Sequence, residues 1–205
     1  MYDRLVAHVP DGVAVYGLQN VSLFDPEMDM GDLDATARWY FDLIDRVADG
    51  GDIHLLGWSY GAHLAFALAK LIEKQSDSRL ISLTLLDSGP TPEPGYITGA
   101  MSLQESIDDF CYAFSINHRF STVEELVDHA VDVAPLWPGI QKSDVRGMLK
   151  SGATATEHLA RPTQGQVHAD ALLLQAGVDR YIAFKGAMIR LTDDFLTKIK
   201  KFVRQ

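Results

Sequence analysis

Ile53-His54-Leu55-Leu56-Gly57-Trp58-Ser59-Tyr60-Gly61 decides the fold of this 205-residue chain. Ile53 to Leu56 is a short apolar run of strand character, Gly57 to Gly61 fits the pattern G-x-S-x-G, and Ala62 to Glu73 is rich in helix formers, apolar on nearly every side. A serine between a strand and the helix it opens is forced into a strained backbone. Small residues two positions to either side let strand and helix approach, and the hydroxyl is pushed out at the carboxyl end of the sheet. With Gly and Ser each near 7% of residues, about 200 windows give a chance of roughly 0.07 that the pattern arises by accident. The requirement for a strand before and a helix after lowers it further.

Outward from this turn, strands and helices alternate. Upstream, Tyr2 to Val9 reads as a short helix, Pro10-Asp11-Gly12 as a turn and Val13 to Leu18 as a buried strand. Leu33, Ala37, Tyr40, Phe41, Ile44, Val47 and Ala48 recur at helical spacing, with Asp32 and Asp34 at the N-terminus and Gly50-Gly51 after the end. Downstream, Leu80 to Leu86 is a β-compatible run ending in Asp87-Ser88-Gly89-Pro90. Such alternation predicts an α/β fold, a mostly parallel sheet covered by helices on both faces. Residues 91 to 166 then read as a Pro- and Gly-containing joint followed by helices without a strand, a helical lid inserted into one domain spanning 1–205. Strand character returns at Ala169 to Gln175 and again at Arg180 to Lys185, and Asp193 to Val203 reads as a terminal amphipathic helix.

Composition removes several classes of function. Hydrophobic residues make up 47% and charged residues 22%, which suits a folded core rather than disorder. A formal charge of -10 with no Lys/Arg stripe excludes nucleic acid and anionic membranes as expected partners. No leader and no long apolar span is read, so the expected location is cytoplasmic. The one cysteine, Cys111, lies among Phe110, Tyr112 and Phe114 and reads as a small buried hydrophobe; no cofactor and no metal site are expected.

Ser59 is the candidate nucleophile, and the backbone N–H of Tyr60 the candidate oxyanion donor at the start of the helix. Asp87 is the candidate triad carboxylate, because it ends the strand after the serine and strand ends on one edge converge on a crevice. Its alternative is a turn cap with Ser88 and Gly89.

Val15-Tyr16-Gly17-Leu18-Gln19, Gly57-Trp58-Ser59-Tyr60-Gly61 and Leu85-Leu86-Asp87-Ser88-Gly89-Pro90, in that order, resemble the thioesterase domains of nonribosomal peptide and polyketide synthases, members of the α/β-hydrolase superfamily. The resemblance is close over residues 1 to 90 and looser through the lid. It implies Ser59 as nucleophile, Asp87 as triad acid, and a substrate carried as a thioester on the phosphopantetheine arm of a carrier protein, released by water or by an internal nucleophile. Two departures stand out. The family begins with an extra strand and a glycine-containing loop that supplies a second oxyanion donor, and this sequence begins at the helix after that loop. Loss of one donor is expected to weaken turnover by about 10² to 10³. The family's catalytic histidine follows the last strand, where this sequence has Gly186-Ala187-Met188, and Met188 stands at the expected position. Substitute bases are sought at His168, at the expected wrong end of its strand; at His63, one turn past Ser59; and at His118, His129 and His158 in the lid. His8 and His54 read as structural. The alternative function is a degenerate, non-catalytic hydrolase-fold module that docks a carrier protein. A truncated sheet would leave an edge exposed, so Val13 to Leu18 is expected to be covered by the chain's own N-terminus or paired with a second copy as a homodimer.

Overall fold

The computed structural model describes residues 6–23, 25, 27–28, 30–86, 101–159, 165–174, 181–184 and 187–190. Asp87, the start of the expected lid at Thr91 and the expected terminal helix Asp193 to Val203 lie outside the described residues.

Among the described residues the core is a three-stranded parallel sheet in the order β1-β2-β3, formed by β1 (Asp52–Trp58), β2 (Arg79–Leu86) and β3 (Asp170–Leu174). Helix α1 (Leu33–Ala48) leads into β1, and α2 (Tyr60–Gln75) crosses from β1 to β2. Asp32 caps α1 by accepting the Ala35 N–H at 2.8 Å, and the helix stops where Asp49 turns left-handed at φ 45° ahead of Gly50 at φ 78°. Ala62, Ala65, Phe66, Leu68, Ala69 and Ile72 of α2 bury against Leu80, Leu83 and Leu85 of the sheet and against Tyr40 and Phe41 of α1. This apolar cluster fixes α2, and so whatever its first turn carries.

Between β2 and β3 the chain forms α3 (Leu103–Ala113), α4 (Val123–Asp128) continued by a π-helical turn at His129–Val133, and α5 (Lys142–Leu159). Ser102 with Glu105, and Thr122 with Glu125, close reciprocal capping boxes at the starts of α3 and α4. These helices bury a second apolar cluster of their own, centred on Ile107, Phe110, Leu126, Val127 and Val145. A further strand pair, β4 (Tyr181–Phe184) and β5 (Ala187–Arg190), is antiparallel, with Ala183 opposite Met188. The start of β3 is caught by α2: the Glu73 carboxylate accepts the backbone N–H of His168 at 2.7 and 3.0 Å and that of Ala169 at 2.7 Å.

Two expectations are corrected. Val13 to Leu18 is neither a strand nor buried: Val13, Val15 and Leu18 are about half exposed and Tyr16 is 69% exposed. A strand exists through its ladder, and among the described residues β1 pairs only with β2, leaving its other edge open and the apolar run without a neighbour to pair with. The second is Gly186-Ala187-Met188: Ala187 and Met188 belong to β5, a strand the sequence reading did not expect. The turn at residues 10–12 forms as read, with Val13 N–H donating to Pro10 O at 3.3 Å and Gly12 at φ 86°.

Candidate active site

Ser59 sits between the last residue of β1 and the first of α2 with φ 54° and ψ −124°. An L-residue with positive φ in that region is strained, and such a conformation persists only where its surroundings over-determine it. Two constraints are visible. The Ser59 N–H donates to Leu86 O at 3.1 Å, tying the turn to the end of β2. Gly57 lies so close to the first turn of α2 that a Cβ there would overlap the Gly61 carbonyl and come within 2.7 Å of the Ala62 nitrogen. The glycine of the motif is therefore a demand of backbone approach. Helix α2 points its N-terminus at the same spot, and the first N–H groups of a helix have no acceptor within it.

The side chain of Tyr60 is also fixed. Its hydroxyl lies 2.9 Å from Nδ1 of His158, near the end of α5, and His158 Nε2 lies 2.7 Å from Gly31 O. His158 is enclosed at 4% exposure and Tyr60 is half-buried, and burial pushes the Tyr60 phenol well up from its ordinary range.

Ser59 thus stands, in this strained conformation, at the carboxyl end of a parallel strand and the amino end of a buried helix. A family model described as "Thioesterase domain" matches residues 1–135. This chain belongs to the thioesterase-domain family. It is similar to malpinin synthetase of Mortierella alpina, with 34% identity over 87 residues, which are 42% of this chain and 1% of that protein. The chain thus matches only a small part of that curated relative's length. Among solved structures, the NocB thioesterase domain in covalent complex with a fluorophosphonate nocardicin G analogue is 19% identical, with a TM-score of 0.53 over 87% of this chain and 67% of that one. The surfactin-cyclising thioesterase domain SrfTE is 27% identical, with a TM-score of 0.42 over 73% of this chain and 55% of that one.

Within this thioesterase domain the other singled-out residues separate clearly. Asp87 follows Leu86, whose carbonyl holds the Ser59 N–H, and lies outside the described residues. His168 precedes β3 at the end opposite the serine, since Leu174 pairs with Leu86 at the serine end whereas Asp170 pairs with Ser82. Its backbone is held by Glu73, about 20 Å along α2 from Ser59 at 1.5 Å per residue. His118 and His129 stack on each other, with centroids 5.5 Å apart, and against Phe120. His54 bonds the Ser82 hydroxyl across the sheet at 2.8 Å, and His8 is exposed. Cys111 is buried in the second cluster, where desolvation raises its thiol pKa and makes it a poor nucleophile. Among the described residues no group of three or more His, Cys, Asp or Glu side chains could hold a metal ion, and no helix is long and apolar enough to cross a membrane.

His63, one turn beyond Ser59, is 4% exposed, and desolvation lowers its pKa to about 4. In the unfolded chain it titrates near 6.5. As pH falls the unfolded state therefore takes up the proton first, and stability present above pH ~6.5 is lost progressively down to pH ~4, by roughly 3 kcal/mol. Denaturant titrations at pH 7 and pH 4.5 should show a larger fall in unfolding free energy for the wild type than for His63→Gln; equal falls would mean the imidazole is solvated.

Proposed function

We propose that the chain is a serine-dependent thioesterase domain acting in the cytoplasm, releasing an acyl, peptidyl or polyketide chain from the phosphopantetheine thioester of a carrier protein by hydrolysis or cyclisation. The observation that carries this reading is the strained backbone of Ser59 at the turn from β1 into α2, a conformation that costs stability and clusters at functional sites. In the reading, Ser59 Oγ attacks the thioester carbonyl while the Tyr60 N–H receives the oxyanion, with Asp87 as the triad acid. The pantetheine thiol leaves with the serine proton, and water or a hydroxyl or amine of the chain itself then displaces Ser59 from the ester. The likeness to a synthetase supports a carrier-borne substrate.

A second reading is favoured by the state of the histidines. Both ring nitrogens of His158 are engaged, and His168 lies at the far end of the sheet. A domain without a base would bind the loaded carrier and leave the thioester intact. An acyl-loaded carrier protein separates the two: loss of the acyl group from the carrier at a rate above its spontaneous hydrolysis, absent in Ser59→Ala, supports catalysis, whereas binding without acyl loss supports docking.

The same proposal includes a homodimer formed along the open edge of β1, where Leu56 and Trp58 are 46% and 37% exposed. Sedimentation should show a dimer that Leu56→Pro disperses, since the Ser59 N–H bonds β2 and strand alternation turns the Leu56 N–H to the open edge; a monomer at all concentrations would sink it.

A further inference from the structure

Helix α5 is stitched to the rest of the molecule by polar bonds that end at the serine turn. Ser151 Oγ accepts the Asn20 amide at 2.7 Å, Lys150 Nζ donates to Met28 O at 3.1 Å, His158 Nε2 faces Gly31 O at 2.7 Å, and His158 Nδ1 faces the Tyr60 hydroxyl at 2.9 Å. Ser151 and His158 are two turns apart on one helix, hence on one side of it. Chemistry fixes the direction of the last two bonds. A carbonyl oxygen can only accept, so Nε2 carries the hydrogen and donates to Gly31 O. A neutral ring then has a bare Nδ1, which accepts the Tyr60 O–H. One imidazole thus joins three separate parts of the chain, at residues 31, 60 and 158.

Tyr60 is the first residue of α2 and shares its peptide unit with Ser59. A peptide is planar, so anchoring both ends of Tyr60 sets where the Ser59–Tyr60 N–H points. Its backbone is already held from one side through the Ser59 N–H to Leu86 bond and the Gly57–Gly61 approach. The phenol holds it from the other.

We propose that the Tyr60 side chain and His158 are positioning residues: through the chain Gly31 O, His158, Tyr60 hydroxyl, helix α5 aims the Tyr60 backbone N–H at the oxyanion and keeps the Ser59 turn in its strained form. This rests on Ser59 being the nucleophile. Donors of this kind act through geometry, and a displacement of about 1 Å is enough to lower a rate about 10²-fold.

The test uses the whole chain and the variants Tyr60→Phe and His158→Ala, Tyr60→Phe removing one hydroxyl at constant shape. Adduct formation with a fluorophosphonate is followed by intact mass over a range of concentrations. The limiting rate constant is expected to fall about 10-fold or more in each variant with little change in the half-saturating concentration, and to fall no further in the double variant. Amide hydrogen exchange at residues 59–62 is expected to accelerate about 10-fold in Tyr60→Phe, and long-range proton–nitrogen NMR to show His158 locked with hydrogen on Nε2 only while the Tyr60 hydroxyl is present. An unchanged limiting rate, additive losses in the double variant or unchanged exchange overturns the proposal. If the wild type forms no adduct, the nucleophile reading fails, and the exchange and NMR arms still decide whether the clamp holds the turn.

Discussion

Mixed with a fluorophosphonate, the wild-type chain is expected to gain one adduct and the Ser59→Ala variant none, a fall in labelling of at least about 10³-fold, and Ser59→Gly, equally inert, is expected to outlast both on heating. The first half follows from removal of the attacking oxygen. The second follows from the backbone. At φ 54° and ψ −124°, any side chain with a Cβ holds strain of about 1–3 kcal/mol, which alanine keeps and glycine releases. Glycine returns about 0.5–1 kcal/mol of this through its freer unfolded chain. A net gain of about 1 kcal/mol remains, or about 2–4 °C in Tm for a domain of this size. Intact mass and a thermal melt on the same samples read both effects. An adduct surviving in Ser59→Ala would place the reactive group elsewhere, and a Ser59→Gly melt at or below wild type would mean the turn is relaxed.

Gly57→Ala is the change expected to harm the fold most. Its methyl group would occupy the space of the Gly61 carbonyl, and both partners are backbone, so no rotamer can relieve the overlap. Relief requires β1 and α2 to part, which opens the apolar cluster around Ala62, Ala65 and Phe66. The cost should reach about 4 kcal/mol, the range of severe core disruption, and lower Tm by about 10 °C. Gly152→Ala is the matched control: it lies inside α5 with open space where a Cβ would go, so the same substitution is expected to stabilise by up to about 1 kcal/mol. Destabilisation by both variants alike would remove the argument from close approach.

Local chemistry explains which parts of the molecule were legible in the sequence. The strand, turn and helix around Ser59 could be read because apolar pattern, glycine spacing and helix formers all lie within about twenty residues and agree. Val13 to Leu18 was misread because apolarity reports a preference for burial and carries no record of a partner strand; here the run lies exposed and outside the sheet. His158 was legible as a residue but not as a contact. It was weighed as a substitute base in the lid, yet its partners are 98 and 127 positions away, and the spacing of its own helix gives no sign of them. The two-stranded β4–β5 unit was half read for a related reason. Tyr181 to Phe184 has strand composition, while the stretch containing Met188 was assigned from its likeness to a histidine site rather than from its alternation.

The grip of Glu73 on the amides of His168 and Ala169 bears on the order in which the molecule assembles. β1, α2 and β2 are consecutive and can collapse as one local unit, whereas β3 must arrive from 84 residues beyond the end of β2, from Leu86 to Asp170. Closing so long a loop costs entropy, and a separate core among the intervening helices shortens the free chain before the closure is made. A carboxylate near the end of α2 then acts as a catch that selects the register of the incoming strand from just before its first residue, where a slip of one position would turn Ala171 and Leu173 away from the core. β3 is thus the last of the three strands to join and the first to leave, and its amides should exchange with solvent ahead of those of β1, more so once Glu73 is replaced by alanine.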